Sequence, residues 1–261
     1  IVPPIRVRDH LKLEPNKYTI KLKGVEVARG ECMPGLLLAI DNGMVTDQVT
    51  GIETIDWFVS SDLIEPPEAE QHYTERLVRL PRLPVFYERP QLPAPARGRR
   101  ELGLCDAPIS VDEESTIYLC PQSLFKLHPQ FDGLIGEILS RDPKGVLLFV
   151  EPRHSQWVDQ LRRRLRQLPE EVSQRIRFVP GQSHAGFLEL LAVADVMLDP
   201  LHFGGGNTSF EALGLGLPIV TCPSGFMRGR VTAGCYRQMG LSRCIAQSPM
   251  EYVELAVRLG T

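Results

Sequence analysis

The sequence predicts an α/β fold, a Rossmann-like doubly wound parallel sheet, for the part of the chain that follows Ser115. The first observation is a regular alternation of short apolar runs with segments of helical length, which is typical of βα units. The second is Val146–Val150, which is apolar at every position and therefore suits a strand that is covered on both faces. Because crossovers between parallel strands are right-handed, such units place helices on both faces of the sheet.

The elements of this region follow one another in chain order. The predicted strands are Thr116–Cys120, Gly145–Val150, Arg175–Pro180, Val196–Pro200, Pro218–Cys222 and Arg243–Ala246. The predicted helices are Lys126–Ser140, Gln156–Leu168, Ala185–Val193, Thr208–Leu215, Gly229–Met239 and Met250–Leu259.

The first part of the chain is less regular. Polar and apolar residues alternate over Lys17–Arg29, which predicts an exposed strand or hairpin, and Leu36–Ile40 and Ile55–Val59 have the composition of buried strands. Five prolines between residues 81 and 100 exclude a helix or a central strand there, because proline lacks the N–H and fixes φ. We therefore expect two regions, residues 1–100 and residues 101–261, with the regular sheet in the second.

Composition narrows the class of protein. The 261 residues are 43% hydrophobic and 23% charged, with a net charge of −3, which is ordinary for a globular protein. A general nucleic-acid coat needs a basic excess that is absent here. No apolar stretch approaches the roughly 18 residues of a membrane span, so no membrane partner is expected.

Cysteine usage and the chain ends give four further expectations. The six cysteines form no C-x-x-C pair and no zinc spacing, so we expect free thiols, a cytoplasmic location and no metal. The sequence begins at Ile1 without Met and stops within the apolar helical pattern of Val253–Leu259, so we expect a fragment.

The loop after the fourth predicted strand is the most informative segment. Gly204, Gly205 and Gly206 follow that strand, and Asn207 or Thr208 then begins a helix. Glycines let the backbone approach a ligand closely, and the N–H groups of a helix N-terminus bind phosphate. The loop fits neither GxGxxG nor the Walker pattern, so it predicts a diphosphate site of another kind.

Glu211 has two interpretations. Thr208-Ser209-Phe210-Glu211 is a capping box, in which Glu211 returns a hydrogen bond to the helix start. Alternatively the Glu211 carboxylate accepts both hydroxyls of a ribose, one helical turn away from the diphosphate.

Five other residues belong to strand-to-helix loops that we expect on the same edge of the sheet. Lys126 is a candidate counter-charge for a diphosphate, and Gln122 could bind a base edge or be a plain turn residue. His184 is a ligand residue or an exposed loop histidine. Arg228 and Arg230 face a sugar diphosphate or are solvated.

Several segments resemble the protein O-linked N-acetylglucosamine transferase family, in its SPINDLY-like bacterial branch. The resemblance covers roughly residues 51–261. It rests on Phe203–Leu213 (FGGGNTSFEAL), on Tyr118–Pro129 (YLCPQSLFKLHP), on Pro218–Thr221 (PIVT), and on Ile55–Phe58, Ser61–Pro67 and His72–Pro81, which look like the family's inter-lobe bridge.

This resemblance implies a GT-B glycosyltransferase that uses a UDP-sugar as substrate. Such enzymes are inverting, need no metal or other cofactor, and modify Ser or Thr, or in some bacterial relatives Asn, of a protein or peptide acceptor. By motif match Lys126 is the diphosphate lysine and Asn207, Thr208 and Ser209 form the diphosphate cradle. Glu211 takes the ribose position.

The match extends to the nucleobase loop, at Gln182–His184, but it assigns no catalytic residue. The family pattern just before Ile55 is degraded at Val45–Gly51. Residues 1–100 are therefore expected to be a remnant of the N-terminal catalytic lobe together with the bridge, and residues 101–261 the donor-binding lobe. The alternative is a non-catalytic nucleotide-sugar-binding module or an inactive fragment.

Overall fold

The computed structural model describes residues 56–152 and 155–261, except for the side chain of Ser155. Before residue 56 it describes only the backbone of five short strands. The chain divides into two compact units, Ile1–Glu88 and Arg89–Thr261. The boundary that the sequence analysis places between residues 100 and 101 lies inside the second unit.

The described backbone of the first unit forms small sheets. They comprise β1 (Leu11–Glu14), β2 (Lys17–Leu22) and β3 (Val25–Glu31), which are antiparallel; β4 (Ile40–Asp41) and β5 (Met44–Val45), also antiparallel; and β6 (Trp57–Ser61) and β7 (Arg76–Leu80), which are parallel. Strands β2 and β3 confirm the hairpin predicted over Lys17–Arg29. Most of the strand predicted at Leu36–Ile40 lies outside the described residues.

The strand predicted at Ile55–Val59 is present from Trp57, but the prediction that it is fully buried is wrong. Phe58 is 5% exposed, whereas Trp57 and Val59 are 46% and 44% exposed. Successive side chains of a strand point to opposite faces, so the face that carries Phe58 is packed and the other is exposed at Trp57 and Val59.

The second unit contains a five-stranded sheet in which every pair of neighbours is parallel. The strand order is β10-β9-β8-β11-β12. The strands are β8 (Thr116–Cys120), β9 (Gly145–Val150), β10 (Ile176–Val179), β11 (Val196–Leu198) and β12 (Ile219–Val220). This arrangement confirms the Rossmann-like α/β fold.

Helices cover both faces of this sheet. They are α1 (Gln130–Arg141), α2 (Ser155–Leu165), α3 (Glu170–Ser173), α4 (His184–Val193), α5 (Asn207–Leu215), α6 (Val231–Gln238) and α7 (Pro249–Gly260). Tyr118 and Cys120 of β8 pack in one apolar cluster with α1, α2 and α7, and Ile117 and Leu119 pack in a second cluster with α4, α5 and α6. Burial of each leucine side chain contributes about 1.5–3 kcal/mol to the stability of the fold. Because both faces of the sheet are packed in this way, its strands are apolar at successive positions.

Two predicted elements differ from the structure. The sixth strand, Arg243–Ala246, is wrong: a single parallel bridge joins Thr221 and Ile245, and the Ile245 amide is used in a turn to the Ser242 carbonyl at 3.0 Å. The helix predicted to begin at Lys126 begins at Gln130 instead, because Pro129 disfavours helical backbone in the residue before it.

The proline-rich segment contains no helix or strand between residues 81 and 100, as predicted. Its second half packs on the sheet domain. Arg89 donates through Nε to the Gly214 carbonyl at 3.0 Å, and Arg97 donates to the buried Glu189 carboxylate at 2.6 Å. A Cβ on Gly214 would lie 2.6 Å from Pro90 Cδ, so glycine is needed for this approach.

None of the helices in the described part of the chain combines the length and the apolar character that crossing a bilayer requires.

Candidate functional site

The loops that carry the predicted site residues follow strands β8, β10, β11 and β12. Because all strands of the sheet are parallel, these loops lie at one edge, where open α/β sheets bind their ligands. The side chains in these loops form two connected groups, both of which involve helix α5.

Asp199 follows strand β11 and holds the glycine-rich loop. Its side chain is 1% exposed, and its Oδ1 accepts the Gly205 N–H at 2.7 Å while Oδ2 accepts the Thr221 hydroxyl at 2.8 Å. Burial raises the pKa of Asp199, whereas these hydrogen bonds and the charge of Lys126 act in the opposite direction.

Two of the three loop glycines are required by the protein's own side chains. A Cβ on Gly204 would lie 2.8 Å from both carboxylate oxygens of Asp199, and a Cβ on Gly205 would lie 2.8 Å from Gln122 Nε2. Gly206 has nothing within 4 Å of such an atom. The close approach expected of these glycines is therefore made, at Gly204 and Gly205, to internal polar groups.

Lys126 stands at the centre of the first group of side chains. It ends a short 3-10 turn after β8, and its Nζ donates to Gln122 Oε1 at 3.1 Å and to the Gly204 carbonyl at 3.2 Å. The same ammonium lies 4.3 Å from the centre of the Phe203 ring, within the range of a cation–π contact. Burial lowers the pKa of Lys126, and the charge of Asp199 raises it.

Helix α5 presents its N-terminus to this group. The helix begins at Asn207, so the N–H groups of its first turn point out of this end, and the Thr208 hydroxyl accepts from Gln122 Nε2 at 2.6 Å. Ser209 differs from its neighbours, because its side chain is fully buried and its hydroxyl lies 2.8 Å from that of Thr232. Gln122, Lys126 and Thr208 are thus brought together, while the Ser209 side chain faces the interior.

The second group consists of Glu211 and His184. His184 Nε2 lies 2.7 Å from Glu211 Oε1, with the His184 side chain 72% exposed and the Glu211 side chain 8% exposed. The capping-box interpretation is wrong, because the helix starts before Thr208, with Gly206 in the N-cap position. His184 begins helix α4 rather than lying in a loop, and Ser183 caps that helix.

The remaining candidates lie around these groups. Arg228 Nε donates to the His202 carbonyl at 3.2 Å, and its guanidinium lies 5.8 Å from the Phe203 ring, which it shares with Lys126. Arg230 instead donates to the Ser224 carbonyl at 2.7 Å, and Gln182 donates to the Pro180 carbonyl at 2.6 Å.

Asp199 belongs to the site but was not predicted from the sequence. The available signal was a carboxylate at the end of an apolar strand, Val196-Met197-Leu198-Asp199, where a buried charge needs partners. Thr221 and Thr232, which support Asp199 and Ser209, gave no comparable signal.

Comparisons with known proteins point to one family for most of the chain. The family model described as Glycosyl transferase family 41 matches residues 106–261. The tomato (Solanum lycopersicum) protein named "Probable UDP-N-acetylglucosamine--peptide N-acetylglucosaminyltransferase SPINDLY" is 27% identical over 219 residues, which are 81% of this chain and 22% of the relative. An O-GlcNAc transferase mutant structure from Thermobaculum terrenum superposes with a TM-score of 0.70 at 27% identity, covering 83% of this chain and 39% of that chain.

A different similarity covers the beginning of the chain. The FHIPEP family description matches residues 1–77. The flagellar biosynthesis protein FlhA of Treponema pallidum is 46% identical over 56 residues, which are 22% of this chain and 8% of that protein.

The chain spans about a fifth of the curated SPINDLY relative (22%) and less than half of the similar solved chain (39%). The glycosyltransferase match nevertheless covers more than half of this chain, and it includes helices α1–α7 and the five-stranded sheet. By this match, the chain belongs to glycosyl transferase family 41.

Proposed function

We propose that this chain is the donor-binding portion of a glycosyltransferase that transfers N-acetylglucosamine from a UDP-sugar to protein Ser or Thr. The reaction would invert the anomeric carbon and need no metal or cofactor. The observation that carries this proposal is the convergence of Lys126, Gln122 and Thr208 at the N-terminus of helix α5. The names of the relatives supply the sugar and the peptide acceptor.

The diphosphate would bind at this N-terminus. Gln122 and the Gly204 carbonyl take two of the three N–H groups of Lys126, which leaves one to donate to a phosphate oxygen. The first-turn N–H groups at Asn207 and Thr208 and the positive end of the helix dipole add to the attraction. Arg228, whose guanidinium lies 5.8 Å from the centre of the Phe203 ring, would extend the positive charge towards the sugar.

The nucleoside would lie beside the second group. Glu211 is one helical turn from Thr208, so its carboxylate can accept from the ribose hydroxyls while the diphosphate occupies the helix start. His184 holds Glu211 at 2.7 Å and is itself exposed, so it orients the carboxylate and borders the nucleobase. Gln182 is exposed and lies two residues before His184, in the loop that precedes helix α4.

Catalysis by this half of the enzyme would be electrostatic. An acceptor hydroxyl attacks the anomeric carbon, the bond from that carbon to the diphosphate oxygen breaks, and UDP leaves with the bonding electrons. Lys126 and the α5 N-terminus would stabilise the charge that develops on the leaving diphosphate. The group that takes the proton of the acceptor is not assigned to this chain.

An alternative function is a non-catalytic nucleotide-sugar-binding module. It is favoured by the FHIPEP match, because that match assigns residues 1–77 differently from a remnant of a catalytic lobe. Under either function we place the protein in the cytoplasm, without a nucleic-acid or membrane partner. The net charge of −3 and the unpaired thiols among the described cysteines support this placement.

Calorimetry with UDP and a transfer assay test the two functions in turn. Both predict that the chain binds UDP, and absence of heat at millimolar UDP would reject both. Formation of glycosylated peptide from UDP-N-acetylglucosamine and a Ser/Thr peptide would reject the non-catalytic module. Binding of UDP without product agrees with both functions, because a donor-binding portion also needs the rest of the enzyme for transfer.

A further inference from the structure

One peptide group of the glycine-rich loop is held at both ends by opposite charges. The peptide between Gly204 and Gly205 directs its C=O to Lys126 Nζ at 3.2 Å and its N–H to Asp199 Oδ1 at 2.7 Å. This arrangement connects a buried carboxylate and a half-buried ammonium through a single peptide dipole. The orientation of the loop before helix α5 is thereby fixed.

Asp199 is suited to this task by its surroundings. It is almost fully buried, and Thr221 fixes its second oxygen at 2.8 Å, so the carboxylate cannot rotate away from the loop. The Gly204 backbone passes so close that a side chain there would contact both carboxylate oxygens. Since buried charges are costly unless paired, the two charges require each other.

We propose that Asp199 is a positioning residue for the diphosphate site, which it serves by orienting the 204–205 peptide and by keeping Lys126 in its charged form. The proposal rests on the proposed function, because it concerns the same diphosphate. Asp199 would not touch the ligand: Gly205 and Lys126 stand between them. The negative charge of Asp199 would by itself repel a diphosphate. Asp199 would therefore favour binding through its effect on the charge of Lys126.

The sign of the effect follows from the forces on Lys126. Burial lowers the pKa of this ammonium and Asp199 raises it, so removing the Asp199 charge lets Lys126 lose its proton at a lower pH. An Asp199→Asn variant retains an oxygen that can accept from Gly205 and an amide that can donate to Thr221. It therefore removes the charge while preserving the shape.

The other titratable groups around the pair keep one charge state between about pH 7.5 and about pH 10. The thiols and phenols are neutral because burial raises their pKa values, to about 12 for Cys120 and for Cys235. Burial lowers the pKa of the nearby histidine, which is therefore neutral as well. The groups are Cys120, Cys235, Tyr236, Tyr252 and His202, and the guanidinium of Arg228 lies as a fixed neighbour 5.8 Å from the centre of the Phe203 ring.

The test is the affinity for UDP, measured by calorimetry across this pH range, for wild type, Asp199→Asn and Thr221→Val. We expect the ratio of wild-type to Asp199→Asn affinity to increase steadily with pH. For Thr221→Val, which keeps the charge and removes one hydrogen bond to it, we expect a ratio that is constant with pH. Ionisation of the uracil ring affects all three proteins equally and cancels in the ratios.

Two results would overturn the proposal. An Asp199→Asn affinity that is reduced by the same factor at every pH would show a structural role only, and an affinity equal to or tighter than wild type throughout would show simple repulsion. In a Lys126→Arg background, where the cation does not titrate, the pH dependence of the ratio should vanish; its persistence would assign the titration to another group. If wild type itself does not bind UDP, the proposed function fails instead.

A measurement on the wild-type protein keeps the proposal testable should Asp199→Asn not fold. An N–H donated to a carboxylate at 2.7 Å should give a strongly downfield amide proton for Gly205 that exchanges slowly and shifts on addition of UDP. A Gly205 amide that resonates in the ordinary range, or that UDP leaves unchanged, would contradict it.

Discussion

Lys126→Met is the perturbation that most directly tests the diphosphate site. The variant keeps an unbranched side chain of similar length over the Phe203 ring but removes the ammonium that donates to Gln122 and to the Gly204 carbonyl. A hydrogen bond to a charged group contributes about 1.5–3 kcal/mol. Since 1.4 kcal/mol is a factor of ten, we expect the Kd for UDP to rise about 10- to 150-fold.

The assay is calorimetric titration of UDP into wild type, Lys126→Met and a matched control, Lys144→Met. Lys144 precedes strand β9, at the opposite edge of the sheet, and pairs with Glu114 on an exposed surface at 3.3 Å. We expect the control to bind UDP as wild type does. Thermal unfolding of Lys126→Met should occur at a lower temperature than that of wild type, because Asp199 is left buried without the positive charge that it faces, so UDP binding is compared where both proteins are folded.

Two results would refute this reasoning. A Lys126→Met protein that binds UDP within threefold of wild type would show that the ammonium is structural only. An equal loss of affinity in Lys144→Met would indicate a general effect of net charge rather than a local contact.

Three further predictions follow from other parts of the site and from its support. Gly205→Ala should lower the free energy of unfolding by about 1–3 kcal/mol in urea, because its Cβ would contact Ser209 Oγ and Gln122 Nε2, and it should cost more than Gly206→Ala, which has open space at the Cβ. Glu211→Ala should weaken binding of UDP more than binding of 2′-deoxy-UDP, because the carboxylate is expected to accept from the ribose hydroxyls. The hydrogen bond from Arg97 lowers the pKa of Glu189, so this pair contributes stability at neutral pH that is lost as the pH falls below the usual range of a glutamate. Melting curves of wild type and Glu189→Gln should therefore converge on acidification.

Each of these predictions has a contrary outcome. Equal unfolding midpoints for the two glycine variants would mean that the loop can move away from Gln122. Equal losses for UDP and its 2′-deoxy analogue in Glu211→Ala would place the carboxylate away from the 2′-hydroxyl. A difference between wild type and Glu189→Gln that stays constant with pH would remove Arg97 as a source of stability.

The sheet domain was predictable because its strands have a recognisable local sequence pattern. A parallel strand that is covered on both faces has to be apolar at every position, and β8 and β9 meet that condition. The convergence of Lys126 and Thr208 was predictable from topology, because loops after parallel strands share one edge. The absence of a sixth strand was not predictable, because a segment that makes a single bridge, as at Ile245, has the same apolar sequence pattern as a full strand.

The details of the site depended on contacts between residues that are distant in sequence. Glu211 matched a local capping box, but helix α5 begins before Thr208. The hydrogen-bond partner of Glu211 is instead His184, 27 residues away in sequence, at 2.7 Å. Asp199 had a local signal, as a carboxylate that ends an apolar strand, but its role depends on Gly205 and Lys126, which the folded loop brings near it. Local patterns therefore predicted which loops form the site, and tertiary hydrogen bonds decide which atoms face a ligand.

The central claim is that the edge of the sheet around Lys126 binds the diphosphate of a UDP-sugar. Calorimetric titration of UDP into the wild-type chain tests it most directly. We predict saturable binding at one site per chain that is weakened at least tenfold by Lys126→Met, in line with the loss of one charged hydrogen bond. No detectable heat at millimolar UDP, with the protein shown to be folded, would contradict the claim.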